Sequence, residues 1–513
     1  TMIKRIHAVN AAAFCIFVSA CAAPSITEGG DIAEVDTPWQ AETVNWDQTT
    51  DDINRLVERY NAPSAAVAVI SDGEIVYAQS FGLQEIETHT PASLETMYAV
   101  GSISKTFTSA LIGTLENEGK LALTDHPSRH VHDLQFRSEE LSANLSVANL
   151  LSQTSGLPRL DGSYVFFPEK DQVDLAPRFL HFGASCRVGD CWSYNNMNFI
   201  MLDMIAESVT GQSKSQMLMD KLLVGAGMKS TVSSTEAFSR SANAATGYTK
   251  TGDDMRPAAT EYLFGEQVYA TASDMARWLN LWMTEGGGII PADYVQRAIS
   301  MQAIENGSAP SKDEPGAYLF GYGYGWSVKS VEGNFVVHHG GNENGFSAQI
   351  LFVPASGIGV VTLTNQQDSI LPYVVNDLLL RRNLSLPETG VDEYPVVVGT
   401  SAPLLSDTTA KLNLNRDAPF PLELTTLPGR YSAPGYGTIE IRLDDDVLKL
   451  RTPAADFVLS HREGTVFSLG TTESVPMGIN LDFFEVTFEE DSLSMNLASE
   501  PVVFEKSDAQ IVR

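Results

Sequence analysis

The chain has 513 residues, enough for two or three structural domains, and its hydrophobic share of 43% is ordinary for a protein with a substantial core. It carries 33 Lys and Arg residues against 64 Asp and Glu residues, which gives a formal net charge of −31. Because this charge repels phosphate backbones and anionic lipid surfaces, it argues against nucleic acid as a partner.

The N-terminus has the pattern of an export signal, with a basic pair and then an apolar run in residues 4–18 that is too short for a typical membrane span. Residues 18–21, Val-Ser-Ala-Cys, resemble the bacterial lipoprotein box, in which the cysteine becomes the lipidated first residue after cleavage. We therefore predict a signal peptide over residues 1–21, lipidation at Cys21 and a flexible tether over residues 22–45. An ordinary secretion signal, cut one or two residues later, is the alternative. Either signal predicts an exported protein, periplasmic or anchored by its lipid to a bacterial membrane.

The first regular elements follow the tether. Apolar periodicity predicts an amphipathic helix from Asp51 to about Tyr60, and then strands over residues 64–70 and 74–80. The Asp-Gly pair between these two apolar runs is a strong hairpin signal. Two antiparallel strands ahead of a helix favour a mixed α/β architecture.

Residues 101–110 place one hydroxyl and one amine three positions apart at the opening of a second predicted helix, whose apolar residues recur from Ile103 to Leu115. Positions i and i+3 share a helix face, so Ser102 and Lys105 should touch. A serine is a weak nucleophile until a neighbouring base removes its proton, and N–H groups at a helix start favour developing negative charge. The pair is therefore a candidate nucleophile and base.

Two cysteines remain beyond the signal region, Cys186 and Cys191. An exported protein meets oxidising conditions, and the Val-Gly-Asp sequence between the two thiols can turn. We therefore expect a loop disulfide, with two free thiols as the alternative.

A second polar cluster, residues 192–196, precedes another apolar helix. A phenol near an amine can carry a proton between nucleophile and leaving group, and an amide can orient both partners. Tyr194 and Asn196 are the candidates, although aromatic and polar turns of this kind also occur without any catalytic role.

A third cluster, residues 339–346, reads His-Gly-Gly-Asn-Glu-Asn-Gly-Phe between two apolar runs, so we expect it in or beside an edge strand. Glycine there permits close approach of a ligand to backbone N–H groups, and His339 supplies a titratable donor. A glycine-rich strand bend with a hydrogen-bonded histidine would explain this cluster equally well when it is taken alone.

Taken in order, the clusters Ser-x-x-Lys, Tyr-x-Asn and His-x-Gly resemble the active-site set of the penicillin-recognising serine hydrolases. The chain is most similar to the class C β-lactamase-related branch, which includes D-aminopeptidases, D-alanyl-D-alanine carboxypeptidases and carboxylesterases. The resemblance implies a catalytic domain over residues 46–385 with a β-lactamase-like α/β (α+β) fold. In that fold an antiparallel sheet is flanked by helices and accompanied by an all-helical region.

The resemblance also implies a role for each motif residue. Ser102 would be acylated, Lys105 and Tyr194 would share proton transfer, and Asn196 would steady the substrate amide. The backbone N–H groups of Ser102 and Asn342 would form the oxyanion hole, which is usually the largest contribution in acyl transfer.

The third motif departs from the β-lactamase pattern. His339 replaces the lysine that heads it in many β-lactamases, and Gly340 lacks the hydroxyl that Lys-Thr-Gly offers to a substrate carboxylate. His339 and Gly341 are still implied to support the substrate. Both departures favour peptidases and esterases over β-lactamases.

No metal and no cofactor are expected. His126, His130 and His132 are spaced like possible zinc ligands, because three imidazoles can bind zinc. The resemblance, however, places these histidines in a surface loop of the family.

Prolines interrupt any regular pattern after residue 385, which predicts a linker over residues 386–426. Short β-like runs at even spacing then predict a small antiparallel barrel or sandwich over residues 427–513. Residues 427–431 resemble the opening of a lipocalin-like domain appended to some relatives. We expect this C-terminal β-barrel to pack against the catalytic domain and to limit substrate size.

The sequence thus predicts a serine hydrolase that acts through an acyl-enzyme intermediate, most simply a peptidase or amidase on a peptide or related amide. A carboxylesterase, a β-lactamase and a non-catalytic penicillin-binding sensor are the alternatives. The expected partner is a small-molecule or peptide substrate, with a membrane contacted only through the lipid anchor.

Overall fold

The computed structural model describes the chain from residue 44 onward with several gaps. The signal peptide, Cys21, most of the tether and linker residues 396–421 lie outside the described residues, so the expectations about them stay predictions. The described residues are 44–132, 134–158, 162–168, 172–251, 254–258, 267–307, 319–395, 422–445, 447–470, 481, 484–497 and 501–507.

A large antiparallel sheet forms the centre of the described part of residues 46–385. Nine of the described strands pair in the order β3-β2-β1-β13-β12-β11-β10-β9-β8, and two small ribbons, β4-β7 and β5-β6, lie outside this sheet. The strands are β1 (Ser64–Ser71), β2 (Glu74–Glu85), β3 (Thr90–Pro91), β4 (Tyr98–Ala99), β5 (Tyr248–Thr251), β6 (Asp254–Pro257), β7 (Tyr269–Ala270), β8 (Ala303–Gly307), β9 (Leu319–Tyr322), β10 (Ser327–Val331), β11 (Asn334–Glu343), β12 (Phe346–Val353) and β13 (Ile358–Thr364).

Helices cover both faces of the sheet. One face packs against the first and last helices, α1 and α11, and the other packs against α9, whose Trp278 stacks on Phe107 of α2. The helices are α1 (Trp46–Arg59), α2 (Ser104–Asn117), α3 (Glu139–Asn144), α4 (Val147–Leu151), α5 (Gly162–Val165), α6 (Asn196–Thr210), α7 (Lys214–Leu218), α8 (Thr235–Ser239), α9 (Ala272–Met283), α10 (Ala292–Ile299) and α11 (Leu371–Asn383). No helix among the described residues is long and apolar enough to cross a membrane.

Local signals explain the first elements. The hairpin of β1 and β2 turns through Asp72 and Gly73, both with positive φ, as the Asp-Gly pair predicted. Helix α1 begins at Trp46, five residues before the predicted start, because Asn45 caps it by accepting a hydrogen bond from Gln48 N. Capping rather than apolar periodicity therefore sets the start of this helix.

The C-terminal β-barrel is a closed antiparallel barrel of eight described strands, which confirms a barrel rather than a sandwich. Apolar side chains that alternate along the strands fill its interior. The strands are β14 (Gly429–Ala433), β15 (Gly437–Asp444), β16 (Val447–Arg451), β17 (Asp456–Glu463), β18 (Val466–Gly470), β19 (Glu485–Phe488), β20 (Ser492–Met495) and β21 (Val502–Lys506).

Candidate active site

The first motif lies where a tight turn leads into a helix. Gly101–Ile103 form one 3-10 turn, and α2 begins directly after it. Lys105 Nζ donates to Ser102 Oγ at 3.0 Å, so the two side chains touch, and it also donates to Asn196 Oδ1 at 2.7 Å. Only 8% of the Lys105 surface is exposed. The amine is therefore held beside the hydroxyl in a site that excludes most bulk water.

Close backbone packing brings the first motif against the third. Gly101 has a φ of +54°, and a Cβ at this position would lie 2.8 Å from Asn342 N. A Cβ on Gly341 would overlap the carbonyl oxygen of Val100. Both glycines are therefore required by space, and the turn that carries Ser102 lies directly against the strand that carries Asn342.

The second motif lies at the start of α6. Asn195 caps this helix by accepting from Met197 N at 2.8 Å, so Asn196 is the first residue of the helix. The prediction that Asn196 lies in the turn before the helix is therefore wrong. Gln153 Oε1 accepts from Asn195 N at 3.0 Å and from Asn198 Nδ2 at 2.6 Å. These bonds fix the start of α6 to the turn after α4.

Tyr194 immediately precedes this cap and lies between the other two motifs. Its ring centroid is 4.9 Å from Lys105 Nζ and 6.4 Å from the centroid of the His339 ring. The phenol ring thus packs beside the amine of the first motif and the imidazole of the third.

The third motif lies on β11. This strand is inside the sheet, because β12 pairs on one side and β10 on the other, so the prediction of an edge strand is wrong for the strand as a whole. In the described part of the sheet, β10 pairs with β11 only as far as Ser327 opposite His338, and residues 339–343 pair with β12 alone. The half of β11 that carries the motif therefore has one neighbouring strand.

His339 is buried and held in one tautomer. Its Nδ1 lies 2.7 Å from Gly340 O, which can only accept, so Nδ1 carries the proton. Nε2 then accepts from the Tyr322 hydroxyl at 3.2 Å. Burial, reinforced by the nearby charge of Lys105, lowers the pKa of His339 to about 3. The imidazole is consequently neutral throughout the physiological pH range.

The space beside Gly340 is occupied by a hydroxyl from another element. A Cβ on Gly340 would overlap the Tyr373 hydroxyl of α11, so a side chain at position 340 would fit only if Tyr373 moved. Tyr373 is 49% exposed. A phenol from α11 therefore stands where the Lys-Thr-Gly pattern would place a threonine side chain.

A cavity of about 70 Å³ opens among the motif residues and reaches deeper into the helical region. Ser102, Lys105, Tyr164, Asn196 and Asn342 are among the residues that line it. No local pattern predicted a role for Tyr164, because it lies 32 positions from Asn196 on a different helix.

A buried ion pair closes the far wall of this cavity. Lys214 Nζ lies 2.8 Å from Asp203 Oδ2, and Thr108 donates to Asp203 Oδ1 at 2.9 Å. Sequence reasoning also missed this pair. The Asp203 carboxylate lies within the apolar run of α6, seven residues after Asn196 and so on nearly the same face, and this is the signal that could have found it.

The remaining predicted side chains lie outside the cavity. Cys186 and Cys191 are joined in a disulfide with a Cα–Cα distance of 6.4 Å. His126 bonds Ser128 and a backbone carbonyl, and His130 lies 2.9 Å from Asp125 Oδ2. Among the described residues, no group of three His, Cys, Asp or Glu side chains is placed to hold a metal ion.

Two family models match the chain, one in each of its two parts. The Beta-lactamase family matches residues 50–382, and a domain of unknown function, DUF3471, matches residues 415–507. Protein flp of Staphylococcus aureus strain MW2 is 26% identical over 332 residues, which are 64% of this chain and 64% of flp. Penicillin-binding protein 4 of Amycolatopsis lactamdurans is 25% identical over 321 residues, covering 60% of this chain and 82% of that protein. The chain thus matches less than two thirds of the length of flp.

Two solved structures share the fold. The octameric penicillin-binding protein homologue from Pyrococcus abyssi aligns with a TM-score of 0.60 at 20% identity, covering 90% of this chain and all of that one. A penicillin binding protein from Bacillus halodurans aligns with a TM-score of 0.54 at 22% identity, covering 64% of this chain and 98% of that one. Since the family match spans more than half of the residues, the chain belongs to the Beta-lactamase family.

Proposed function

We propose that the chain hydrolyses a peptide or related amide through an acyl-enzyme formed on Ser102. The observation that carries the proposal is the position of Lys105, whose Nζ lies 3.0 Å from the Ser102 hydroxyl inside a cavity large enough for a small acyl group. An amine at hydrogen-bond distance from a hydroxyl is the geometry that a general base needs.

In the proposed reaction, Ser102 Oγ attacks the substrate carbonyl carbon while its proton passes to Lys105 Nζ. The carbonyl oxygen becomes an oxyanion and is stabilised by the backbone N–H groups of Ser102 and Asn342. Tyr194 passes a proton to the leaving nitrogen as the carbon–nitrogen bond breaks and takes back the proton that Lys105 holds, while Asn196 orients the substrate amide. Water then attacks the ester carbonyl carbon and gives a proton to Lys105. The bond from this carbon to Ser102 Oγ breaks, the acid product leaves, and the proton returns to Ser102 Oγ.

The preference for peptides and amides over β-lactams is supported by the third motif. A lysine and a threonine at its head would offer a charge and a hydroxyl to a substrate carboxylate. Here the imidazole of His339 is neutral and Gly340 has no side chain. A carboxylesterase would use the same groups, so the substrate panel below includes esters.

The N-terminal sequence pattern supports a location outside the cytoplasm for this reaction. An export signal with lipidation at Cys21 would place the hydrolase outside the cytoplasm, held at a membrane by its lipid. Extracytoplasmic exposure fits the disulfide between Cys186 and Cys191.

The test is covalent labelling by a fluorescent fluorophosphonate, followed by turnover of D- and L-aminoacyl p-nitroanilides, p-nitrophenyl esters and a chromogenic cephalosporin. Ser102→Ala should abolish labelling and turnover, and Lys105→Ala should lower both by at least about 100-fold. Ser142→Ala, on the exposed side of α3, is the matched control and should leave both unchanged. Labelling that survives in Ser102→Ala would overturn the proposal, and cephalosporin turnover as fast as the best ester would overturn the substrate ranking.

A further inference from the structure

Tyr164 connects the candidate active site to the rest of the chain. It belongs to α5, a single turn of helix, and only 1% of its surface is exposed. Its hydroxyl accepts from Asn196 Nδ2 at 2.7 Å, while Asn196 Oδ1 accepts from Lys105 Nζ at 2.7 Å. One amide therefore separates the Tyr164 hydroxyl from the amine that lies beside Ser102.

The contacts that hold α5 include the C-terminal β-barrel. A single helical turn is not stable by itself, because most helical stability in proteins comes from packing. Ser163 Oγ and Tyr436 Oη form a hydrogen bond of 2.9 Å, and both side chains are buried. Immediately after α5, the rings of Phe166 and Phe167 pack at centroid distances of 4.9 to 5.8 Å against four aromatic rings of the barrel: Tyr436, Phe457, Phe484 and Phe504.

Arg178 joins the same segment to the barrel. Its side chain is fully buried, Nε donates to Gly435 O at 2.7 Å, and Nη1 donates to the carbonyl oxygens of Ser163 and Phe167. The guanidinium carbon also lies 5.1 Å from the centroid of the Tyr436 ring. Because a buried guanidinium is costly unless its donors are paired, these bonds form or break together.

We infer that Tyr164 is a positioning residue for hydrolysis and that the C-terminal β-barrel sets its place through Tyr436 and Arg178. The inference rests on the proposed function, because it assigns Tyr164 to the orientation of Asn196 and Lys105. A carboxamide has one donating and one accepting end. By accepting from the donating end, the Tyr164 hydroxyl stabilises the orientation in which the amide oxygen faces the lysine.

This orientation matters because the reaction depends on where the amine stands. A displacement of about 1 Å in a catalytic group can cost on the order of 100-fold in rate. The barrel therefore acts on the site without supplying a group that touches the substrate. Its effect passes through the Tyr164 hydroxyl. The substitution Tyr164→Phe removes only this oxygen atom, so it tests the coupling without disturbing the fold.

Two buried tyrosines of the barrel provide matched variants in the full chain. Tyr436→Phe removes the hydrogen bond to Ser163 at the interface, whereas Tyr431→Phe removes one to Leu427 O, formed at 2.7 Å within the barrel. Both side chains are almost fully buried, so the two changes should cost similar stability. Each variant is combined with Tyr164→Phe, and each protein is measured for its fluorophosphonate labelling rate, for kcat and KM on p-nitrophenyl butyrate, and for its melting temperature.

Tyr164→Phe should lower the labelling rate and kcat by about 5- to 10-fold with little change in KM, as expected for one lost hydrogen bond. Tyr436→Phe should lower them by about 3-fold and Tyr431→Phe by less than about 2-fold, at similar melting temperatures. The double variant of Tyr164 and Tyr436 should be no slower than Tyr164→Phe alone, because both changes act through one hydroxyl.

Three results would overturn the inference: an unchanged rate in Tyr164→Phe, equal losses in the two barrel variants, or losses that multiply in the double variant. Failure of the proposed function would give a different result: the wild-type chain would not be labelled, or Ser102→Ala would still be labelled. Normal labelling of wild type together with any of the three results refutes only the coupling.

Discussion

The neutral state of His339 leads to a quantitative prediction about stability and pH. Its pKa in the folded chain is about 3 against the usual 6.5, so as the pH falls below about 6.5 the unfolded chain binds a proton that the folded chain does not. The free energy of unfolding therefore decreases toward acid between about pH 6.5 and pH 3, and the full stability is present above that window. Burial is the main cause and Lys105 adds to it.

The size of the effect follows from the shift. Each pH unit within the window is worth about 1.4 kcal/mol for one proton, and integration between pH 6 and pH 4 gives roughly 2 to 3 kcal/mol. His339→Gln has no imidazole at this position, so its free energy of unfolding should not show this decrease. Between pH 6 and pH 4 the variant should therefore lose roughly 2 to 3 kcal/mol less than wild type. Burial is also the main cause of the lowered pKa of the neighbouring His338, which is present in both proteins, so only the smaller contribution that His339 makes to this shift differs between them.

The assay is urea unfolding followed by tryptophan fluorescence from pH 4 to pH 7. The signal reports on the catalytic region, because none of the six tryptophans lies within residues 427–513. Three of them, Trp278, Trp282 and Trp326, are buried in the hydrophobic core that contains α9. His89→Asn is the matched control, because His89 is exposed and its positive φ is one that asparagine adopts readily. The free energy of unfolding is plotted against pH for each protein. Plots for wild type and His339→Gln that stay parallel from pH 6 to pH 4 would refute the reasoning. An equally weak pH dependence in His89→Asn would refute it as well.

The other predictions concern the remaining parts of the site. Tyr194→Phe should keep the fold and lower turnover of amides by at least about 100-fold, which kinetics at matched melting temperature would check, and near-full activity would mean that the second motif has been misread. Gly341→Ala should lower the labelling rate and the melting temperature, because its methyl group would overlap the Val100 carbonyl oxygen; an unchanged rate would contradict the close packing of turn and strand. Intact mass with and without reductant should show one Cys186–Cys191 bridge in exported protein, and two alkylatable thiols before reduction would exclude it.

Features set by neighbours in sequence were predictable. The contact of Ser102 with Lys105 needs only a helical turn, and the hairpin of β1 and β2 needs only an Asp-Gly pair between apolar runs. In both cases the signal and the structure span the same few residues. Evenly spaced short strands predicted a barrel or a sandwich, and the resemblance of residues 427–431 to the opening of a lipocalin-like domain favoured the barrel that the structure has.

Features set by distant partners were not predictable. An apolar run shows which residues face the core, but it does not name the neighbouring strands, so the interior position of β11 was missed. The contact of Tyr164 with Asn196 joins two helices, and that of Ser163 with Tyr436 joins positions 273 residues apart. No local pattern encodes such contacts, although they determine how the active-site amide is oriented.

The charges around the cavity explain why the altered third motif affects substrate choice. Lys105 Nζ bonds the uncharged side chains of Ser102 and Asn196, and Lys214 Nζ forms an ion pair with Asp203 Oδ2 at 2.8 Å. Above about pH 3 the imidazole of the third motif adds no positive charge, while the chain as a whole carries a formal net charge of −31. Relative to the Lys-Thr-Gly pattern, a substrate carboxylate would therefore lose one charged partner and would rely on hydroxyl groups for its hydrogen bonds, while the negative net charge of the chain opposes its approach at long range. An amide or ester without a carboxylate next to the scissile bond loses nothing by this change, which is the electrostatic reason that we propose such substrates ahead of the penicillins.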